Sequence, residues 1–223
     1  MLIRLELAGS RAIYSQRHFG VSLLMKTLTR SEFRKQIRIK RNALSGEQQT
    51  QSGIDLVKQC SQLNEIQSAQ HIALYISIDG ELDTQPLVEW LWAQGKQTYL
   101  PVLHPFSAGH LLFLHYSPTT PTVLNKYGIV EPQLNQLLVK PCQQLDLILT
   151  PLVGFDSHGH RLGMGGGYYD RTLAKWFETG EGATPIGLAH DCQHVDTLPI
   201  EEWDIPLPKI VTPSKTWQWE NNH

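Results

Sequence analysis

The chain has 223 residues, 41% of them hydrophobic and 18% charged, and a formal net charge of −2. That composition excludes a disordered chain and is long enough for one sizeable core or two small ones. The near-neutral balance gives no general attraction to nucleic acid or an anionic membrane, and no apolar run nears the ~18 residues that a membrane span requires.

Residues 1–24, "MLIRLELAGSRAIYSQRHFGVSLL", place Arg4 and Glu6 inside their first apolar patch, which argues against a secretory signal. Arg4, Arg11 and Arg17 with a single acid give only a faint transit-peptide character. Met25 reads as the natural start. Residues 1–24 are therefore taken as an extension outside the fold, disordered or untranslated, and residues 25–223 as a single α/β domain. Cys60, Cys142 and Cys192 lie far apart and form no CxxC pair. They fit a reduced compartment as small hydrophobes, and a cytoplasmic monomer is expected.

The stretch "TRSEFRKQIRIKRNALS" has Phe33, Ile37 and Leu44 on a loosely helical spacing with basic residues between them. Ser45, with Gln48 three residues on, predicts a capping box and a second helix carrying Ile54, Val57 and Cys60 on one side. "HIALYISI" (residues 71–78) reads as a buried strand and "DGELDT" as a loop. Thr84 is placed to cap "QPLVEWLWAQ", a helix with Pro86 early and Gly95 at its end. "QTYLPVL" and "HLLFLHY" read as strands. Residues 117–141, rich in Pro, Thr and Asn, look irregular. "LDLILTPLVGFD" is a strand ending in a turn. A glycine loop follows, then the helix "YYDRTLAKWFE" stopped near Gly180, then short strands in "TPIGLAH" and "KIVTP". Strands alternating with helices predict a three-layer α/β fold, a mainly parallel central sheet with helices on both faces.

The loop "RLGMGGGYYDR" (residues 161–171) holds four glycines in five positions: Gly163, Gly165, Gly166 and Gly167. Glycine loses the most freedom on folding, so such a run implies close backbone approach to something. Strand, glycine loop, helix is an order that sets free N–H groups and a positive dipole end at one spot, a seat for phosphate. The specific fingerprints fail. No lysine follows, as a Walker A loop requires, and the third glycine of GxGxxG falls on Tyr168. A loop tightened so that a helix packs on a sheet fits equally well. Tyr168 and Tyr169 suit stacking on a planar ring or helix packing. Asp170 suits Mg²⁺ between itself and a phosphate, or a first-turn carboxylate favouring the helix dipole.

At this loop the sequence resembles a known family. "LDLILTPLVGFDSHGHRLGMGGGYYDR" is similar to the signature of the 5-formyltetrahydrofolate cyclo-ligases, also called 5,10-methenyltetrahydrofolate synthetases. "TRSEFRKQIRIKRNALS", "IALYISIDGELDTQPLV" and "LPIEEWDIPLPKIVTP" resemble three further family segments in the family's order, over about residues 26–213. The resemblance implies ATP-dependent closure of 5-formyltetrahydrofolate to 5,10-methenyltetrahydrofolate, with release of ADP and phosphate. The formyl oxygen is a poor leaving group until phosphorylated; N10 then attacks the formyl carbon. Alignment and charge neutralisation are the protein's main tasks.

By that resemblance ATP is bound by Arg30, Ser31, Glu32, Phe33 and Arg34 and by Arg161, Leu162, Gly163, Met164, Gly165, Gly166, Gly167, Tyr168 and Tyr169. The folate substrate meets Ile76, Glu81, Met164, Gly165, Gly166, Gly167 and Tyr168. Asp170 and Asp204 hold Mg²⁺. Met164 and Gly166 stand where some relatives carry basic residues, and Pro208 where some carry an acid. Two other readings fit less well. A non-catalytic nucleotide- or folate-binding protein would have lost Asp170 or Glu81, and both are present. A zinc hydrolase built on His158 and His160, with His190 and His194, lacks a matching acidic helix.

Overall fold

The structure is a computed structural model and describes residues 28–219. The extension of residues 1–24 lies outside the described residues. Helix α1 (Arg30–Asn42) is followed by α2 (Gly46–Cys60), α3 (Asn64–Ser68), strand β1 (His71–Ala73), α4 (Gln85–Ala93), β2 (Gln97–Leu103), β3 (Leu111–Tyr116), β4 (Thr122–Leu124), β5 (Val130–Pro132) and β6 (Val139–Lys140). Then come β7 (Leu147–Pro151), β8 (Gly154–Asp156), β9 (Arg161–Leu162), α5 (Tyr168–Thr179), β10 (Thr184–Leu188), β11 (His194–Val195), β12 (Lys209–Val211) and β13 (Thr216–Gln218).

Eight strands form one sheet in the order β13-β12-β10-β7-β1-β2-β3-β6. The five from β12 to β2 are parallel, and antiparallel strands close both edges. Side chains alternate across this sheet with the two-residue period of a strand. Ile72, Leu147 and Leu149 face α2, α3 and α4, packing with Leu56, Cys60, Ile66, Leu87 and Leu91. Ala73 and Ile148 face the other way, towards Leu173 of α5, Phe113 and Phe155. The expected three layers and the mainly parallel sheet are thus present. Among the described residues, no helix is long and apolar enough to cross a membrane.

Local chemistry sets the element ends. Thr29 and Glu32 form a capping box for α1, and Ser45 and Gln48 form the expected one for α2. Gly180, with φ of 69°, ends α5 in the left-handed conformation that glycine adopts without strain.

Five expectations are corrected. The run at residues 71–78 pairs as a strand only over His71–Ala73; beyond it the chain leaves the sheet. "LDLILTPLVGFD" breaks into β7 and β8, because the Gln193 amide donates to the carbonyls of Leu152 and Val153, at 2.7 and 3.0 Å. Thr84 stands at the expected N-cap of α4 but makes no side-chain cap bond; its hydroxyl donates to the Tyr75 carbonyl instead. The buried side of α2 is Gly53, Leu56 and Cys60, and Ile54 is exposed. The irregular stretch contains the β4–β5 hairpin and the edge strand β6.

Gly187 on β10 tests the packing of the α5 layer. A Cβ there would lie 2.8–2.9 Å from side-chain carbons of Ile210, Leu207 and Leu152. Overpacking costs about 1–3 kcal/mol, less about 0.4–1 kcal/mol regained from a stiffer unfolded chain. Gly187→Ala should therefore lower the urea midpoint with the slope unchanged. An unchanged midpoint would mean that this layer yields freely.

Candidate active site

The parallel strands β7, β1 and β2 end at one cleft of about 1210 Å³. Its floor includes Tyr75 and Ile76 after β1, Leu100, Pro101 and Leu103 of β2, and Pro151 and Leu152 at the end of β7. The carboxyl edge of a parallel sheet is where open α/β folds take ligands. The β4–β5 hairpin supplies Asn125, Tyr127 and Glu131 to one wall, and the glycine loop supplies another.

Arg30, Arg34, Ile76, Glu81, Arg161, the residues from Gly163 to Tyr169, Asp170 and Asp204 all line this cleft. The fold thus brings together side chains up to 174 positions apart. Four expected residues do not line it. Ser31 is exposed on the far side of α1, Glu32 closes the helix cap, Phe33 is half-buried elsewhere and Leu162 is in the core. Ile76 both lines the cleft and packs against the core.

The glycine loop is held open by its backbone. Gly165 and Gly167 have φ of 99° and 67°, which side-chain-bearing residues rarely adopt. A Cβ on Gly167 would also meet the Arg171 guanidinium at 2.7 Å. Gly167 caps α5 without a side-chain bond, so the amides of the first helical turn point outward unclaimed by a cap. Arg171 fastens the loop from outside. Its Nε donates to the Gly109 carbonyl at 2.8 Å and its Nη2 to the Gly166 carbonyl at 2.5 Å. Tyr127 and Tyr168 meet hydroxyl to hydroxyl at 3.2 Å, joining the hairpin tip to the loop.

Beside this loop sits a cluster of charges. Arg30 grips Asp204 with both terminal nitrogens, and Asp204 also accepts from the Glu201 amide at 2.9 Å. Burial alone would raise the Asp204 carboxyl, but Arg30, that amide and the Arg161 charge outweigh it and hold it low. Arg161, nearly buried, pairs with Asp170. Its Nε is buried with no partner. Desolvation lowers its pKa against the pull of Asp170 and Asp204. Arg34 donates through Nε to the Gly163 carbonyl at 2.8 Å, and no other described residue accepts from it. Beside the loop, then, Arg30 and Arg161 are held by carboxylates, while among the described residues Arg34 keeps its two terminal nitrogens uncommitted next to the loop.

Those carboxylates fit a magnesium ion in a limited way. Mg²⁺ takes one or two protein carboxylates and completes its shell with phosphate and water, which is what Asp170 and Asp204 beside an anion seat can supply. Both carboxylates are already paired with arginine, and they belong to no group of three or more clustered ligands among the described residues. The histidines behave differently. Ligand atoms of Asp156, His158 and His160 lie within 4.8 Å of one another. The Asp156 oxygens, however, accept from the amides of His158, His160 and Leu198 and from the His160 ring. They organise the turn between β8 and β9. His194 is bonded to Ser157 and stacked on Trp217, and His190 lies buried apart from this group.

Glu81 also lines the cleft, beside Tyr75 and Tyr169. It is 7% exposed, and burial pushes its carboxyl up to about 7 against the opposing influence of Arg41 and the Ile78 amide. Tyr75 and Tyr169 flank it; burial first, and the charge of Glu81 second, hold both phenols above their ordinary value. The sequence reading missed Arg41, Tyr127 and Arg171. Arg41 could have been found from spacing, because Arg30, Arg34, Ile37 and Arg41 stand at i, i+4, i+7 and i+11 and share one helix face.

Residues 26–213 match the model of the 5-formyltetrahydrofolate cyclo-ligase family. A 5-formyltetrahydrofolate cyclo-ligase of Escherichia coli is 54% identical over 185 residues, which are 82% of this chain and all of that protein. One from Haemophilus influenzae is 49% identical over 187 residues, 84% and 99% of the two chains. The solution structure of a 5,10-methenyltetrahydrofolate synthetase from Aquifex aeolicus superposes with a TM-score of 0.72 at 29% identity, covering 88% of this chain and 98% of that one. A synthetase of the same description from Mycoplasma pneumoniae gives 0.65 at 27% identity, over 83% and 99%. The family model over residues 26–213 and relatives matched over nearly their whole length lead to one conclusion: the chain is a ligase that belongs to the 5-formyltetrahydrofolate cyclo-ligase family.

Proposed function

We propose that the chain uses ATP and Mg²⁺ to close 5-formyltetrahydrofolate to 5,10-methenyltetrahydrofolate. The γ-phosphoryl group passes to the formyl oxygen, N10 attacks the formyl carbon, and the oxygen leaves as phosphate while ADP departs. The observation that carries the reading is that one cleft holds an anion seat and, apart from it, a buried carboxylate. Arg30, Arg34 and Arg161 and the amides from Gly163 to Tyr169 take the nucleotide phosphates. Glu81 accepts N–H groups of the pterin, and Ile76, Met164 and Tyr168 border that ring. The loop between the two seats aligns donor and acceptor, which is most of what phosphoryl transfer requires. Asp170 and Asp204 would hold the magnesium ion, which when bound neutralises charge on the phosphates. Mixing protein, ATP, Mg²⁺ and 5-formyltetrahydrofolate should raise absorbance at the methenyl-folate band, and no rise without ATP is expected. A silent mixture removes the proposal.

Arg34→Ala should weaken ATP more than folate. Charge-assisted contacts are worth about 1.5–3 kcal/mol, so KM for ATP should rise about 10–100-fold with KM for folate nearly constant. A rise confined to folate would move Arg34 to the other substrate.

Asp170→Asn keeps one acceptor oxygen and removes the charge. It should raise the Mg²⁺ concentration needed for half-maximal rate, and excess Mg²⁺ should restore part of the loss. If Mg²⁺ dependence is unchanged, Asp170 serves only as the partner of Arg161.

Glu81 has its folded pKa raised above its unfolded value, so the neutral form is favoured in the fold. Its stabilising contribution is present below about pH 4.5 and is lost as pH rises through about 7. A shift of that size corresponds to about 3 kcal/mol. Glu81→Gln should therefore be more stable than the parent at pH 8 and equal to it near pH 4 in chemical denaturation, while KM for folate rises. A variant less stable at pH 8 would contradict the burial argument.

A further inference from the structure

Glu81 is presented by a turn with two consecutive left-handed residues. Asp79 has φ of 51° and Gly80 of 72°, and the Glu81 amide donates back to the Ile78 carbonyl at 2.9 Å. This is the geometry of a type I′ turn, for which Asp-Gly is a favoured pair, and a residue with a Cβ in that conformation needs neighbours that hold it there. The end of α1 holds it. Arg41 donates through Nε to the Asp79 carbonyl and through Nη2 to the Asp79 carboxylate, each at 2.9 Å. Arg38 adds a bond to the same carboxylate at 2.6 Å, and Asn42 one at 3.2 Å.

Arg41 is fully buried, and its Nη1 has no hydrogen-bond partner. A buried guanidinium with one unfilled donor is poor material for stability alone, since its desolvation often exceeds what its pairing returns. We infer that Arg41 is a positioning residue for substrate binding: it clamps the left-handed Asp79–Gly80 turn and so fixes the Glu81 carboxylate, as an anion, in the cleft. This inference rests on the reading of Glu81 as the group that meets the pterin.

The surroundings of Glu81 make the role specific. Tyr75 on the chain after β1 and Tyr169 on α5 face it with phenols held above their usual pKa by burial. His190, after β10, lies against the Gly80 and Glu81 backbone, and burial favours its neutral form. The charged neighbours that act on Glu81 are therefore Arg41 from α1, which favours the carboxylate, and Asp79 on its own turn, which opposes it. Their signs are opposite, and so are the shifts expected on removing each.

The test is kcat/KM for 5-formyltetrahydrofolate against pH, with KM for ATP measured alongside. Parent protein should show an acid limb near pH 7, where Glu81 ionises. Arg41→Met should move that limb up by on the order of one pH unit. It should also raise KM for folate roughly 10–100-fold, the loss typical of groups that orient a liganding side chain, and leave KM for ATP nearly unchanged. Arg41→Lys keeps the charge without the fork and should return the limb towards the parent position. Asp79→Asn should move it down. Should Arg41→Met fail to fold, the lysine variant and Asp79→Asn still carry the sign test. Variants that lose activity evenly at every pH, with the limb unmoved, would make Arg41 a structural residue and overturn the inference alone. A parent profile without a limb, together with normal folate KM in Glu81→Gln, would instead overturn the reading of Glu81, and the inference with it.

Discussion

A helix with four arginines and few apolar residues has to find counterparts for its charges, and the site is organised around where α1 finds them. Arg30 and Arg34 meet the glycine-loop side of the cleft, through Asp204 and the carbonyl of Gly163. Eleven positions after Arg30, Arg41 meets the turn that carries Glu81. At 1.5 Å per residue, α1 is a strut of about 20 Å that ties the two halves of the cleft to one rigid body. Between those ends Ile37, the one buried apolar residue of the helix, seats it against β8, where Gly154 leaves room for its side chain. A shift of α1 therefore moves both ends of the cleft together.

Much of the frame was legible because it rests on local chemistry. Ser45 and Gln48, Pro86 and Gly180 mark helix ends by mechanisms that need no tertiary partner. "QTYLPVL" became β2 with the expected bounds. The run after β1 was overextended for a physical reason: Leu74 and Tyr75 are apolar because they are buried, and Ile76 because it borders both cleft and core, and none of the three pairs as strand. The β4–β5 hairpin was illegible because β4 is exposed throughout and shows no alternation.

The candidate site divides along the same line. The glycine loop could be read as a phosphate seat from its order of elements, but Glu81, Ile76 and Asp204 had no local signal. They became candidates only through resemblance, and the cleft then gathered them. The spacing of Arg41 places it on the face of Arg30, Arg34 and Ile37, but nothing local to it distinguishes a buried cation on a basic helix from a solvated one. Its counterpart, the Asp79–Gly80 pair, is a recognised type I′ turn signal, but that the turn meets Arg41 is visible only in three dimensions.

The β4–β5 hairpin has a consequence for how the cleft fills. Its strands pair with one another and with no third strand among the described residues, and its tip reaches the glycine loop through two phenols. A two-stranded ribbon is marginal by itself, so its opening free energy is far smaller than that of the eight-stranded sheet behind it. Amide protons of residues 122–132 should thus exchange by local fraying while those of β1 and β7 exchange only on global unfolding. The wall that carries Asn125, Tyr127 and Glu131 should therefore yield before the walls built on α1, β9 and α5.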